Sequence, residues 1–128
     1  MEPYYIKKEV QLSYSEAVKK VTEELAKEGF GVLTTIDVKA TLRKKLDVDF
    51  DDYIILGACN PPFAHKALLA ERDIGLLLPC NVTIYSEQGR IFVAALVPTV
   101  AMSVVQNAEL VTVAQEVEKK LKKVIDNV

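Results

Sequence analysis

Tyr53-Ile54-Ile55-Leu56-Gly57-Ala58-Cys59-Asn60-Pro61-Pro62 is the stretch that decides the fold. Its first seven residues form an unbroken apolar run of strand length, closed by turn residues. That pattern predicts a strand buried on both faces and central to a sheet. Asn60 is a predicted helix N-cap. Pro61 fits the first helical position because that N–H has no intrahelical partner. The strand is therefore expected to pass directly into a helix over about 61–71, which carries the only histidine, His65.

Upstream, Tyr4, Ile6, Val10 and Leu12 alternate with Lys7, Glu9 and Gln11, the period of a strand with one buried face; Lys8 falls on the apolar side. Ser13 and Glu16 form a capping box, and Ala17, Val18, Val21 and Leu25 recur at helical spacing until Gly29. Phe30, Val32, Thr34 and Ile36 predict a second strand. Asp37 then caps a short helix carrying Val38, Leu42 and Leu46, ended by the acidic run Asp47 to Asp52.

Downstream, Ile74 to Leu78 and Cys80 to Tyr85 read as strand interrupted at Pro79, and Ser86-Glu87-Gln88-Gly89 turns the chain into a further strand over Arg90 to Val97. Asn107 caps a long last helix whose apolar stripe is Leu110, Ala114, Val117, Leu121 and Val124. The sum is an α+β fold: one single domain over 1–128, with a single antiparallel-rich sheet of about five to six strands packed by helices.

Composition narrows the function classes. Half of the 128 residues are hydrophobic and 27% are charged, too apolar for disorder. Sixteen basic against 18 acidic side chains give a net charge of −2, with no global field to draw the chain onto nucleic acid or anionic lipid. The start, Met1-Glu2-Pro3-Tyr4-Tyr5, lacks a leader pattern, and no apolar stretch approaches the roughly 20 residues that span a bilayer. The expectation is a cytoplasmic protein with no membrane and no nucleic-acid partner. In that compartment both cysteines are expected to stay reduced.

Chemistry concentrates in two short strings, Gly57-Ala58-Cys59-Asn60-Pro61-Pro62 and Leu78-Pro79-Cys80-Asn81-Val82. Cys59 is predicted at the end of a strand directly before a helix N-terminus, whose dipole would favour a thiolate or a small anion. The bland alternative is a buried apolar cysteine. His65, six positions on, could serve Cys59 as base but also shares a helical face with Leu68 and Leu69 and can be structural. Cys80 could face Cys59 or point away. Cys59-x5-His65-x14-Cys80 matches no zinc pattern, and Asp47-x-Asp49-x-Asp51 lacks the glycine and glutamate of a calcium loop. No metal is expected, no catalytic residue is assigned, and no cofactor is named.

These strings carry a family likeness. With Glu28-Gly29-Phe30-Gly31-Val32-Leu33-Thr34, Ile36-Asp37-Val38, Ala67-Leu68 and Asp73-Ile74-Gly75 leading to Leu77-Leu78 in the same order and spacing, the chain resembles the domain of unknown function 302 family over most of its length. The resemblance implies a β-α-β(4)-α domain similar to the half-repeat of the TATA-binding protein (TBP-like), and a homodimer. It brings no established reaction. Fold likeness alone transfers no function, and the acidic pI and lack of a basic, aromatic sheet face argue against DNA binding.

The expected function is a small-molecule binding or sensing homodimer. Its pocket is placed near the Cys59–Pro62 turn, with Cys59, Asn60, Pro61, His65, Cys80 and Asn81 as ligand-binding residues. Two alternatives stand beside it: a thiol-dependent enzyme or redox protein using Cys59 with Cys80 or His65, and a structural assembly subunit.

Overall fold

The computed structural model describes residues 3–128; Met1 and Glu2, part of the segment read for a leader, lie outside the described residues. The chain runs β1 (Tyr5–Val10), α1 (Tyr14–Lys27), β2 (Gly31–Asp37), α2 (Val38–Leu46), β3 (Tyr53–Cys59) and α3 (Pro61–Ala70). A 3-10 helix (Arg72–Leu77), β4 (Cys80–Glu87), β5 (Arg90–Leu96), α4 (Pro98–Ala101), a second 3-10 turn (Met102–Val104) and α5 (Ala108–Asp126) complete it. All five strands pair antiparallel in the order β1-β5-β4-β3-β2. No helix among the described residues is long and apolar enough to cross a membrane.

Local chemistry explains most boundaries. Ser13 and Glu16 close a reciprocal capping box on α1. Asp37 Oδ1 accepts from the Ala40 N–H at the start of α2, and Asn107 Oδ1 accepts from the Glu109 N–H at the start of α5. In the β4–β5 hairpin, Gln88 and Gly89 both take positive φ (52° and 76°), the two-residue turn whose twist matches its strands. Lys8, on the apolar side of β1, spans the core edge and donates to the backbone oxygens of Asp126, the last residue of α5, and of Val128 just beyond it.

Alternation in the strands then sorts the sheet into two faces. Val10, Leu56, Ala58, Cys80, Val82, Ile84, Val93 and Ala95 face α1 and the C-terminal half of α5, where Ala17, Val21, Leu25, Val117, Leu121, Val124 and Ile125 complete the main core. A second, smaller cluster of Ala67, Ile74, Met102, Leu110 and Ala114 lies between α3, the 3-10 helix and the N-terminal half of α5.

Three expectations are corrected. Residues Ile74 to Leu78 lie mainly in a 3-10 helix, so the sheet has five strands: only Ile74 of that run is deeply buried, in the second cluster, while Leu76 is 87% exposed. A short apolar run does not declare its period, and here tertiary burial of one residue decides it. β3 is interior, between β4 and β2, but β4 is the central strand, and β3 is not buried on both faces. Tyr53 and Ile55 are half-buried on the side away from α1 and α5.

That open face also corrects the view that the sheet lacks an aromatic surface. Tyr53, Tyr85 and Phe92 stack across three adjacent strands with ring centroids 5.2 and 5.4 Å apart. Lys7 Nζ lies 3.3 Å from Tyr85 Oη and over the rings of Tyr5 and Phe92. The face is aromatic without being basic, because Arg90 is bound by Glu9 through two contacts of 2.6 and 3.1 Å.

Gly57 is the most tightly enclosed of the glycines. A Cβ there would lie 2.1 Å from Thr34 Oγ1 and 2.8 Å from Pro79 Cγ, at the bulge where β2 skips a residue between Val32 and Thr34. Gly57→Ala should therefore destabilise the domain by about 1–3 kcal/mol. Gly31→Ala, with nothing within 4 Å of the added Cβ, should stay within about 0.5 kcal/mol of the parent chain. Urea midpoints of the two variants test this; equal midpoints would contradict it.

Candidate functional site

The site begins with the length of α5. Its 19 residues extend about 28 Å, beyond the roughly 23 Å of a seven-residue strand, so its first turns overhang the sheet. α3 does not lie on the sheet; it packs on that overhang. Between α3, α5, the strand ends and the segment from Pro98 to Met102 lies a cavity of about 300 Å³. Ala58, Phe63, Ala67, Cys80, Met102 and Val117 form much of its wall, with Leu33 and Leu68 exposed beside it. No charged side chain lines it.

Asn60 holds the turn that shapes this space. It occupies the N-cap position of α3, but its side chain makes no capping bond. Instead, buried to 8% exposure, it donates from Nδ2 to the backbone oxygen of Glu28, 3.0 Å away at the end of α1. Gly29, at φ 85°, passes directly beneath: a Cβ there would sit 3.3 Å from Asn60 Nδ2. The strings Glu28-Gly29-Phe30-Gly31 and Ala58-Cys59-Asn60-Pro61, distant in sequence, are thus one structural unit.

The helix N-terminus expected to favour an anion offers little to one. Pro61 and Pro62 remove two N–H donors, and the Phe63 and Ala64 N–H groups both reach the Asn60 carbonyl, at 3.1 and 3.0 Å. Any anion at this end of the molecule must be held by side chains.

Of the six residues singled out from the sequence, Cys59, Asn60 and Cys80 line the cavity. Pro61 is exposed at the start of α3, and His65 lies exposed on α3 outside the cavity wall, so no Cys–His pair is assembled there. Asn81 points the other way, into a shallow concavity on the open face with Tyr5, Lys7, Tyr53 and Tyr85. The two cysteines are free thiols on neighbouring strands, Cys80 pairing with Ala58. Burial pushes the Cys80 thiol up to about 11, with the nearby Cys59 adding to the shift.

Residues missed in the sequence are the apolar ones. Phe30 and Leu33 stood in the first family string, and Val113 lies one position from Ala114 in the stripe of α5. A hydrophobic residue facing a void has the same sequence signature as one facing the core. No group of three or more metal-ligating side chains is assembled among the described residues.

Residues 6–128 match the family described as Domain of unknown function DUF302. The chain belongs to that family. The crystal structure of an uncharacterized conserved DUF302 protein from Bacillus stearothermophilus is similar at a TM-score of 0.92 and 29% identity, covering 98% of both chains. None of the curated proteins matches. DUF302 membership thus supports the α+β sheet-and-helix fold described above and assigns no reaction to it.

The environment of Cys80 makes a kinetic prediction. A thiol raised from 9.0 to about 11 carries about a hundredfold less thiolate at pH 8. Native alkylation by iodoacetamide, followed by peptide mass spectrometry, should label Cys80 at least about a hundredfold more slowly than the urea-unfolded chain. The same rate in both states would show that Cys80 is neither buried nor shifted.

Proposed function

We propose that this DUF302 chain is a small-molecule binding domain that takes an apolar ligand into the cavity between α3, α5 and the strand ends. The observation that carries the reading is the wall itself: about 300 Å³ lined without a charged side chain in a chain that is 27% charged. Apolar clefts with a few polar groups are the usual form of a small-ligand site. The volume suits roughly ten non-hydrogen atoms, taking about 30 Å³ for each as for a water molecule in the liquid. Cys59 and Cys80 then act as small, polarisable wall residues.

The geometry favours binding over thiol chemistry. Cys80 is protonated and buried, and His65 sits outside the cavity wall. In the cytosol, the compartment this reading assumes, both thiols would remain reduced.

The direct test is titration with 1-aminonaphthalene, an uncharged fluorophore of about the right size. Saturable binding of one molecule per chain is expected, with loss of binding in Ala114→Phe and in Ala64→Phe, each checked for a native circular dichroism spectrum. Absence of saturable binding, or binding that survives both substitutions in folded protein, would overturn the reading.

A second reading concerns the open sheet face, and the occupant proposed is a second copy of this chain. Its formal charges cancel, Lys7 and Arg90 against Glu9 and Glu87, so a copy meets no net repulsion and a polyanion gains no attraction. Five strands present roughly 500 Å² of projected plane, which side-chain relief raises toward the roughly 800 Å² per partner of a stable interface. Light scattering at tens of micromolar should give the dimer mass, and Tyr85→Glu the monomer mass. A monomeric parent chain would refute it.

A further inference from the structure

We infer that the ligand of the cavity is an amphipathic monoanion, a medium-length acyl chain ending in a carboxylate, its tail in the cavity and its head group read by Lys66 and Lys120. This rests on the binding reading above and names the chemistry of its ligand.

The cavity wall contributes no charge, so a charged group on the ligand has to remain outside it, where water or an opposite charge can meet it. Phe63 supplies the connection between inside and outside. It lines the cavity, and two ammonium groups from two different helices converge on its ring: Lys66 Nζ at 5.6 Å and Lys120 Nζ at 5.9 Å from the centroid.

The carboxylates nearby do not neutralise this pair. Glu28 lies 4.0 Å from Lys120 and 3.4 Å from Lys123, one acid between two bases. Lys66 forms no ion pair within 4.0 Å among the described residues. Lys66, Lys120 and Lys123 against Glu28 leave this corner at +2, in a chain whose net charge is −2. Positive charge is thus placed beside an apolar void although the whole protein is acidic.

The head group is a carboxylate rather than a phosphate because of what the corner lacks. Lysine binds phosphate as a point charge, but a phosphate site usually adds backbone N–H groups at a helix start or the fork of an arginine. The start of α3 has Pro61 and Pro62 in its first two positions, its next N–H groups bond the Asn60 carbonyl, and the bases at this corner are lysines. Two flexible point charges suit a single small anion. The cavity volume limits the tail to about ten carbons.

Isothermal titration of decanoate and of its neutral counterpart decanol separates head from tail. The parent chain should bind decanoate several-fold more tightly than decanol. Lys66→Gln and Lys120→Gln should each weaken decanoate by about fivefold, the scale of a solvent-screened ion pair, while leaving decanol unchanged. Added salt should weaken decanoate alone. Lys66 is exposed and Lys120 half-buried, and glutamine keeps most of the length of either side chain, so the variants should keep the fold, which the melting temperature checks. Equal affinities for acid and alcohol, or lysine variants with no effect on decanoate, would overturn the head-group assignment while the cavity reading stands. If 1-aminonaphthalene binds and neither decanoate nor decanol does, the acyl class is wrong. If none of the three binds, the cavity reading falls with it.

Discussion

Everything in this fold follows from a sheet that is covered by helices on one side. The apolar residues of β1, β3, β4 and β5 alternate toward α1 and the second half of α5, and together those two helices fill that face. At roughly 10 Å per helix, a five-stranded sheet of about 20–25 Å width has room for two. α3 therefore has no place on the sheet. It must find its partner on the part of α5 that overhangs, and it builds the second cluster there with Ile74 and Met102. The cavity lies at the seam between the two clusters. Val113, Ala114 and Val117 of α5 line it, and of these Ala114 belongs to the second cluster and Val117 to the first.

A seam between two cores stays open only if the chain segments that frame it are fixed. Two close approaches do this without charge. Asn60 ties the β3–α3 turn to the end of α1, and Gly57 lets Thr34 and Pro79 meet over β3. Both lie in the string from Tyr53 to Pro62. The family signature is therefore a packing signature: Gly29 and Gly57 where side chains press on the backbone, a buried asparagine where two turns join, and small sulfur side chains where the wall needs little bulk. Such residues define the shape of the space beside them.

The legible parts of the sequence were those decided locally. Capping at Ser13, Asp37 and Asn107 and the Gln88–Gly89 turn are written within four residues and appear as read. What was misread depended on distant partners. Asn60 stands at the N-cap position as read, but its side chain makes no capping bond there; its amide donates instead to the backbone oxygen of Glu28, 32 positions away. The run from Ile74 became helical because Ile74 is needed against Met102 and Leu110. The aromatic row was hidden for a similar reason: Tyr53, Tyr85 and Phe92 become one surface only when register sets them side by side. Within the site, Cys59, Asn60 and Cys80 were visible as motifs, whereas Val117 looked like ordinary core and Phe63 carried no signal of its own.

The same physics separates the two faces of the domain in chemical character. On the open side, aromatic rings carry Lys7, bonded to Tyr85, and the paired Arg90–Glu9, a surface whose cations already find partners within the chain. On the helical side, the void has apolar walls and its nearest cations are incompletely matched. A balanced flat face suits a large, shape-matched protein surface. A concave apolar space beside unmatched positive charge suits a small molecule with one apolar end and one negative end. The two readings therefore draw on different residues, and each can hold without the other.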